Sequence, residues 1–181
     1  MLVLEPDPEL VLRTIAESDA PSIFALVDAN RGHLAPWLPW VHTTRSPDDT
    51  LAFIRDVSVR DAEGAGCAFV IEAEDVPVGV IGLDPIQRLN ETAMVGYWLA
   101  AHAQGRGIMT RAVEAVLAHA FETLDLNRIV LHAAVDNARS RAVAERLGFV
   151  EEGLLREAEK NQDVFLDIVA YAMLRIDYED R

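Results

Sequence analysis

Leu99-Ala-Ala-His-Ala-Gln104-Gly105-Arg106-Gly107-Ile108-Met109-Thr110 is the stretch on which the reading of this chain turns. Before it, Ala93 to Leu99 is rich in residues that favour a strand; after it, Gly107 to Leu124 carries apolar residues at helical spacing. Two glycines between strand and helix let the backbone come close to a ligand. The first N–H groups of the helix then point at that ligand, with the positive end of the helix dipole behind them. The run therefore predicts a site for a pyrophosphate-sized anion, with Arg106 and Arg111 adding charge at its rim; the alternative is a tight turn with no ligand. A nucleoside-triphosphate loop would need a Lys-Ser or Lys-Thr pair after its last glycine, and a dinucleotide fingerprint a third glycine. Neither is present.

Working outward, Leu10 to Ile15 reads as a strand. Ser18 or Asp19 is expected to cap a helix with Ile23, Leu26 and Val27 on its inner face, ending near Gly32. His33 to His42 holds Pro36-Trp37-Leu38-Pro39-Trp40 and is expected to be a loop with large aromatic area to place. Ser46-Pro47-Asp48-Asp49 starts a second helix, which runs to the Ala62–Gly66 region. Cys67 to Ala73, Val76 to Leu83 and Ala93 to Leu99 predict an antiparallel meander. A strand over Arg128 to Val135, a helix over Arg139 to Leu147, a Gly148-Phe149 turn and strands near Val150 to Ala158 and Val164 to Leu174 complete the chain. That order is not a strict alternation of strand and helix, so the expected architecture is α/β with a mixed, mostly antiparallel central sheet and flanking helices.

With 181 residues, 51% of them apolar, the chain suffices for one sizeable core and not for two full domains, so one domain over residues 1–181 is expected. No run approaches the roughly 20 apolar residues of a membrane-spanning helix. Met1 to Glu9 carries acids and prolines instead of an export leader, and a cytoplasmic location is expected. The single cysteine, Cys67, excludes an internal disulfide, and neither it nor the five histidines follow a ligand spacing, so no metal is expected. A net charge of -14 opposes nucleic-acid binding and favours approach by basic or amine-bearing partners.

Downstream of the glycine loop, Asp136-Asn137-Ala-Arg-Ser140 ends a strand on a polar residue, and the following helix closes on Gly148-Phe149. Taken together, in this order and spacing, Gln104-x-x-Gly107, Asn137 and Gly148-Phe149 resemble the GNAT acetyltransferases over roughly Leu10 to Leu174. The resemblance implies a GNAT-like fold, acetyl-CoA as donor, and the pyrophosphate held by Gln104, Gly105, Arg106, Gly107, Ile108, Met109 and Thr110. It also implies that Asn137 and Ser140 lie along the pantetheine arm, with a backbone N–H at Trp98 or Leu99 receiving the developing oxyanion. Gly96-Tyr97-Trp98-Leu99 and the Trp37-Leu38-Pro39-Trp40 loop are closest to the RimJ/RimL branch, which acetylates N-terminal amines of ribosomal proteins. Two positions depart from the wider superfamily: Met109 replaces a usual Gly or Ala, and Ala144 replaces the tyrosine that in many members protonates the leaving thiolate.

Direct transfer needs a neutral amine, and an α-amino group has a pKa near ~8, so a base or a water relay must take its proton. By resemblance to the RimL pattern, Ser140 and Glu159 are the catalytic acid and base. The alternatives are a helix-capping hydroxyl for Ser140 and a solvated charge for Glu159, and the assignment of the base stays open. Asn137 is read as a pantetheine contact, against an Asx turn. Trp37, Trp40 and Tyr97 are candidates for the acceptor wall, with core packing as the alternative; the histidines are set aside. The leading function is acetylation of a protein N-terminus, with ribosomal proteins as the acceptors that the resemblance implies. The alternatives are acetylation of a small amine such as an amino acid, polyamine or antibiotic, and a non-catalytic acyl-CoA sensor. A homodimer is expected only on the general frequency of such assemblies.

Overall fold

A computed structural model describes residues 2–181. Eight strands form one sheet in the order β1-β2-β3-β4-β5-β6-β8-β7, namely β1 (Val3–Asp7), β2 (Leu10–Thr14), β3 (Cys67–Ala73), β4 (Val76–Gln87), β5 (Thr92–Leu99), β6 (Arg128–Ala134), β7 (Val150–Asn161) and β8 (Val164–Leu174). Every neighbouring pair is antiparallel except β5 with β6. The mixed, mostly antiparallel sheet expected from the sequence is what the chain forms, including the meander β3-β4-β5.

Helices cover both faces. On one face α1 (Ala20–Ala29) and α3 (Pro47–Ala62) bury Ile23, Val27, Ile54 and Val57 against Ala68, Val70, Val80 and Trp98. On the other, α4 (Ile108–Ala118) and α5 (Ala138–Arg146) pack Val113, Val116, Leu117 and Val143 over Phe69, Ile81, Val95 and Leu131. The two-residue period of the strands sorts these sets: in β5, Val95, Tyr97 and Leu99 go to the α4/α5 face and Trp98 to the α1/α3 face.

The parallel pair is the feature that makes the site. β5 and β6 are in register only over Thr92 to Met94 against Arg128 to Val130. Beyond Met94 they separate, and Val95 to Leu99 lose a neighbour on that side. The α4/α5 and α1/α3 faces thus communicate through a gap in the middle of the sheet.

Several local expectations are corrected. Asp19 does not cap α1; its carboxylate receives Arg13 at 2.8 and 2.9 Å and the Ala16 N–H at 2.8 Å. Ser46, by contrast, makes the full reciprocal cap with Asp49 at the start of α3. The stretch read as a loop, His33 to His42, contains the end of a short helix, α2 (Arg31–Leu34), and a 3-10 turn over Pro39–His42. The long helix after the glycine loop ends its regular part at Ala118 and finishes in a wider turn, His119–Thr123. Neither β1 nor the short C-terminal helix α6 (Arg175–Glu179) was expected.

Candidate active site

Three devices shape the loop after β5. Gly105 and Gly107 have φ of +75° and +72°, a region in which side chains with a Cβ are strained. Ile108 and Met109 bury their side chains in the core, 2% and 8% exposed, so their contribution to a ligand is their backbone. Among the described residues, the N–H groups of Gly105 to Thr110 find no backbone partner, and a Cβ built on Gly105 or Gly107 would meet no atom within 4 Å. Consecutive free N–H groups at the start of an eleven-residue helix, with open space in front of them, fit a diphosphate.

The charges around this loop differ from the expectation. Arg106 pairs with Glu74, and Arg111 is drawn away to Asp7 of β1. The cations that close on the loop come instead from α5: Arg139 reaches the Gln104 side-chain oxygen, and Arg146 donates to Thr110 Oγ1 at 2.7 Å. Residues 139 and 146 are two turns apart on one helix face, a spacing that was visible in the sequence. Gln104 also lies 2.6 Å from His33 Nε2, which ties the loop to α2.

The gap between β5 and β6 opens into a cleft of about 480 Å³. It gathers Trp37, Tyr97, Asn137, Ser140 and Glu159, which are far apart in sequence. Tyr97 Oη lies 3.0 Å from Ser140 Oγ, so the Tyr97 hydroxyl is turned to the α5 wall. Burial pushes the Tyr97 phenol up to about 12, which keeps it protonated in neutral water. Asn137 caps α5 through Oδ1, accepting from Ser140 N–H at 3.2 Å; this is the Asx geometry weighed against a ligand contact, and the residue also lines the cleft.

Strand alternation decides between the two backbone donors considered at the end of β5. The Ala100 N–H bonds the Val78 carbonyl on β4, and Trp98 faces Val80 in the same ladder, so the Trp98 N–H points into the sheet. The Tyr97 and Leu99 N–H groups point the other way, to the open edge. Trp98 is thereby corrected: its indole packs on the α1/α3 face, 6.2 Å from the Trp40 ring, and its amide is occupied.

Glu159 owes its aim to a bulge. Leu155 pairs with Ile168 and Glu159 with Leu166, so Arg156, Glu157 and Ala158 together stand opposite Asp167 alone. Glu157 adopts φ +49° and its N–H bonds Asp167 Oδ1 at 2.7 Å. The bulge turns Ala158 and Glu159 toward the cleft. Partial burial raises the Glu159 carboxyl above the usual carboxylate range. Two residues on, Asn161 Nδ2 donates to the Ala35 and Pro36 carbonyls at 2.8 and 3.0 Å, fastening the Trp37 strap across from Glu159.

Trp40 does not line this cleft; it stands 38% exposed over a neighbouring cavity. His132, set aside in the sequence, does line the cleft, and burial lowers its pKa so that the ring is neutral in neutral water. Its place on a strand flanking the gap is the signal that a search for paired histidines could not see. The arrangement offers two proton acceptors, Glu159 and His132, a hydroxyl pair opposite them, and free backbone donors between.

Residues 9–150 match the acetyltransferase (GNAT) domain. The chain is 34% identical over 165 residues to the ribosomal-protein-serine acetyltransferase of Escherichia coli, covering 91% of this chain and 92% of that one. It is 32% identical over 180 residues to a putative ribosomal N-acetyltransferase of Bacillus subtilis, covering 99% and 98%. A solved RimL ribosomal L7/L12 α-N-protein acetyltransferase in complex with coenzyme A superposes with a TM-score of 0.93 at 29% identity, covering 96% of this chain and 98% of that one.

Proposed function

The chain belongs to the GNAT acetyltransferase family and is an acetyl-CoA-dependent N-acetyltransferase, and from that premise we propose that its acceptor is the N-terminal α-amine of a protein, a ribosomal protein first among them. The observation that carries this reading is the cleft at the β5/β6 gap, which has Ser140 and Tyr97 on one wall and Glu159 on the other. Relatives that act on ribosomal proteins along nearly the whole length of this chain support the acceptor class and a cytoplasmic place of work. The continuous sheet supports one acetyltransferase domain over residues 1–181.

The glycine loop, with the N–H groups of Gly105 to Thr110 and the side chains of Gln104, Arg139 and Arg146 around it, would hold the diphosphate of coenzyme A. The amide N–H2 of Asn137 and the open edge of β5 at Tyr97 and Leu99 would hold the pantetheine amides. Bound acetyl-CoA supplies an electrophilic thioester carbonyl and a thiolate leaving group. Glu159 takes the proton of the incoming ammonium; partial burial raises its pKa and so brings it nearer to an α-amine at about 8 than an ordinary carboxylate is. The Leu99 or Tyr97 N–H, fixed at the open edge, stabilises negative charge as it builds on the carbonyl oxygen. Ser140 Oγ, 3.0 Å from Tyr97 Oη, relays to the departing sulfur the proton that the acceptor nitrogen gives up as the amide forms, so that the hydroxyl ends as it began; this is the role that Ala144 cannot play.

The test is steady-state turnover with acetyl-CoA and two matched peptides, one with a free N-terminus and no lysine, the other N-blocked with an internal lysine, beside spermidine and free amino acids. Acetylation at the free N-terminus alone, located by fragment mass spectrometry, is expected. Faster turnover of the small amines or of the lysine would replace this reading with metabolite or side-chain acetylation.

A further inference from the structure

Gly96 sits in the middle of β5, in the interior of the sheet, and yet it is exposed. Its neighbour across the ladder, Gly82, is explained by packing, since a Cβ there would come within 2.4 Å of the Cys67 carbonyl oxygen. Gly96 has no such reason. Its φ is not positive, and a Cβ built on it would meet no atom of the described residues within 4 Å. A glycine in a strand that neither conformation nor packing requires marks a place where something outside the chain comes close.

The space above Gly96 joins two hollows. Leu38, Gly96 and Tyr97 line both the cleft and a larger cavity of about 660 Å³ between α1, α3 and the sheet. Trp40 and Phe53, 38% and 44% exposed, contribute aromatic surface to that cavity. Thr50 also lines it and is only 4% exposed, but its Oγ1 has no hydrogen-bond partner among the described residues; the same holds for Arg60 Nε. Buried polar atoms without partners are rare in folded proteins, and two of the three found among the described residues belong to residues that line this cavity. The volume is in the range of sites that hold whole ligands and exceeds what one amino group needs.

We infer that this cavity is a second acceptor subsite, which takes the residues following the acetylated amine and favours a bulky apolar or aromatic side chain there, with Gly96 as the specificity-determining residue that keeps the passage open. This rests on the acceptor being a peptide, as proposed above.

The experiment compares kcat/KM for short peptide amides beginning with serine that differ only at the second residue, alanine or phenylalanine, with serinamide as the minimal acceptor. The wild-type chain is expected to prefer the phenylalanine peptide by about tenfold or more, the scale at which pockets discriminate side-chain bulk. Gly96→Val is expected to bring that ratio close to one by filling the passage. Phe53→Ala, which removes exposed aromatic surface from the cavity, is expected to lower the phenylalanine peptide relative to the alanine peptide with little change in Tm. Equal use of the two peptides by the wild type, or an equal loss on all three acceptors in Gly96→Val, would overturn the inference and leave the N-terminal reading standing. Turnover of serinamide with none of any peptide would overturn both.

Discussion

The two sides of the β5/β6 gap are built in opposite ways. The donor side is a run of consecutive residues, Gln104 to Thr110, whose function resides in the backbone and whose side chains at Ile108 and Met109 are ordinary core. The acceptor side is assembled from the faces of α1 and α3, the strap around Trp37 and the bulge before Glu159; strap and bulge lie more than a hundred residues apart and are held by contacts such as Asn161 to Ala35. A local motif fixes what the donor must be, whereas tertiary packing fixes what the acceptor must be. The difference predicts that substitutions on the donor side affect every acceptor alike, and that substitutions on the other side affect acceptors unequally.

Gly107→Val should have the largest effect. A β-branched residue at φ +72° is strained by about 1–3 kcal/mol, and its side chain projects into the open space where the diphosphate would lie. With each 1.4 kcal/mol equal to about tenfold, strain and blockage together should weaken acetyl-CoA binding on the order of 100-fold. Calorimetric titration with coenzyme A checks this. An unchanged affinity would remove the loop as the donor site.

Glu159→Gln comes next. Loss of a general base should lower kcat on the order of 100-fold with little change in the KM for acetyl-CoA, and should abolish the acidic limb of the kcat/KM profile. Stability should move the other way. The native pKa of Glu159 lies above its unfolded value, so the stabilising contribution of this group is full at low pH and is lost as pH rises through the native pKa. At neutral pH the charged carboxylate is a burden that glutamine lacks, and the variant should melt slightly higher than the wild type. If Glu159→Gln keeps its turnover and His132→Gln loses the acidic limb, the proton goes to the imidazole across the cleft.

Legibility followed the same division. Gly105 and Gly107 in positive φ, the Ser46–Asp49 cap and the β3-β4-β5 meander are set by neighbours in sequence, and all were readable there. Asp19 was misread because Arg13, paired with it across a strand end, offers two strong bonds where the helix offers one. Arg111 was misread because Asp7, 104 residues away, claims it. The aim of Glu159 depends on three residues standing opposite Asp167 alone, a register that no periodicity encodes. Trp40 and Trp37 look equivalent in the sequence, but the 3-10 turn at Pro39–His42 sends them to different hollows.

Asn161→Ala is the smallest and most discriminating change. Asn161 is 7% exposed; its amide serves two carbonyls of the Trp37 strap, while its Oδ1 has no partner among the described residues. The substitution removes two hydrogen bonds and one unsatisfied atom together, so the net loss of stability should be modest, about 1–2 kcal/mol by chemical denaturation. The strap would then be free to move against β7, raising the KM for a peptide acceptor several-fold, about what 1 kcal/mol allows. The acetyl-CoA KM should not change, because nothing in the glycine loop touches Asn161. A parallel rise in both KM values would mean that the strap, through His33 and its contact with Gln104, also holds the donor loop, and the two sides would then be one mechanical unit.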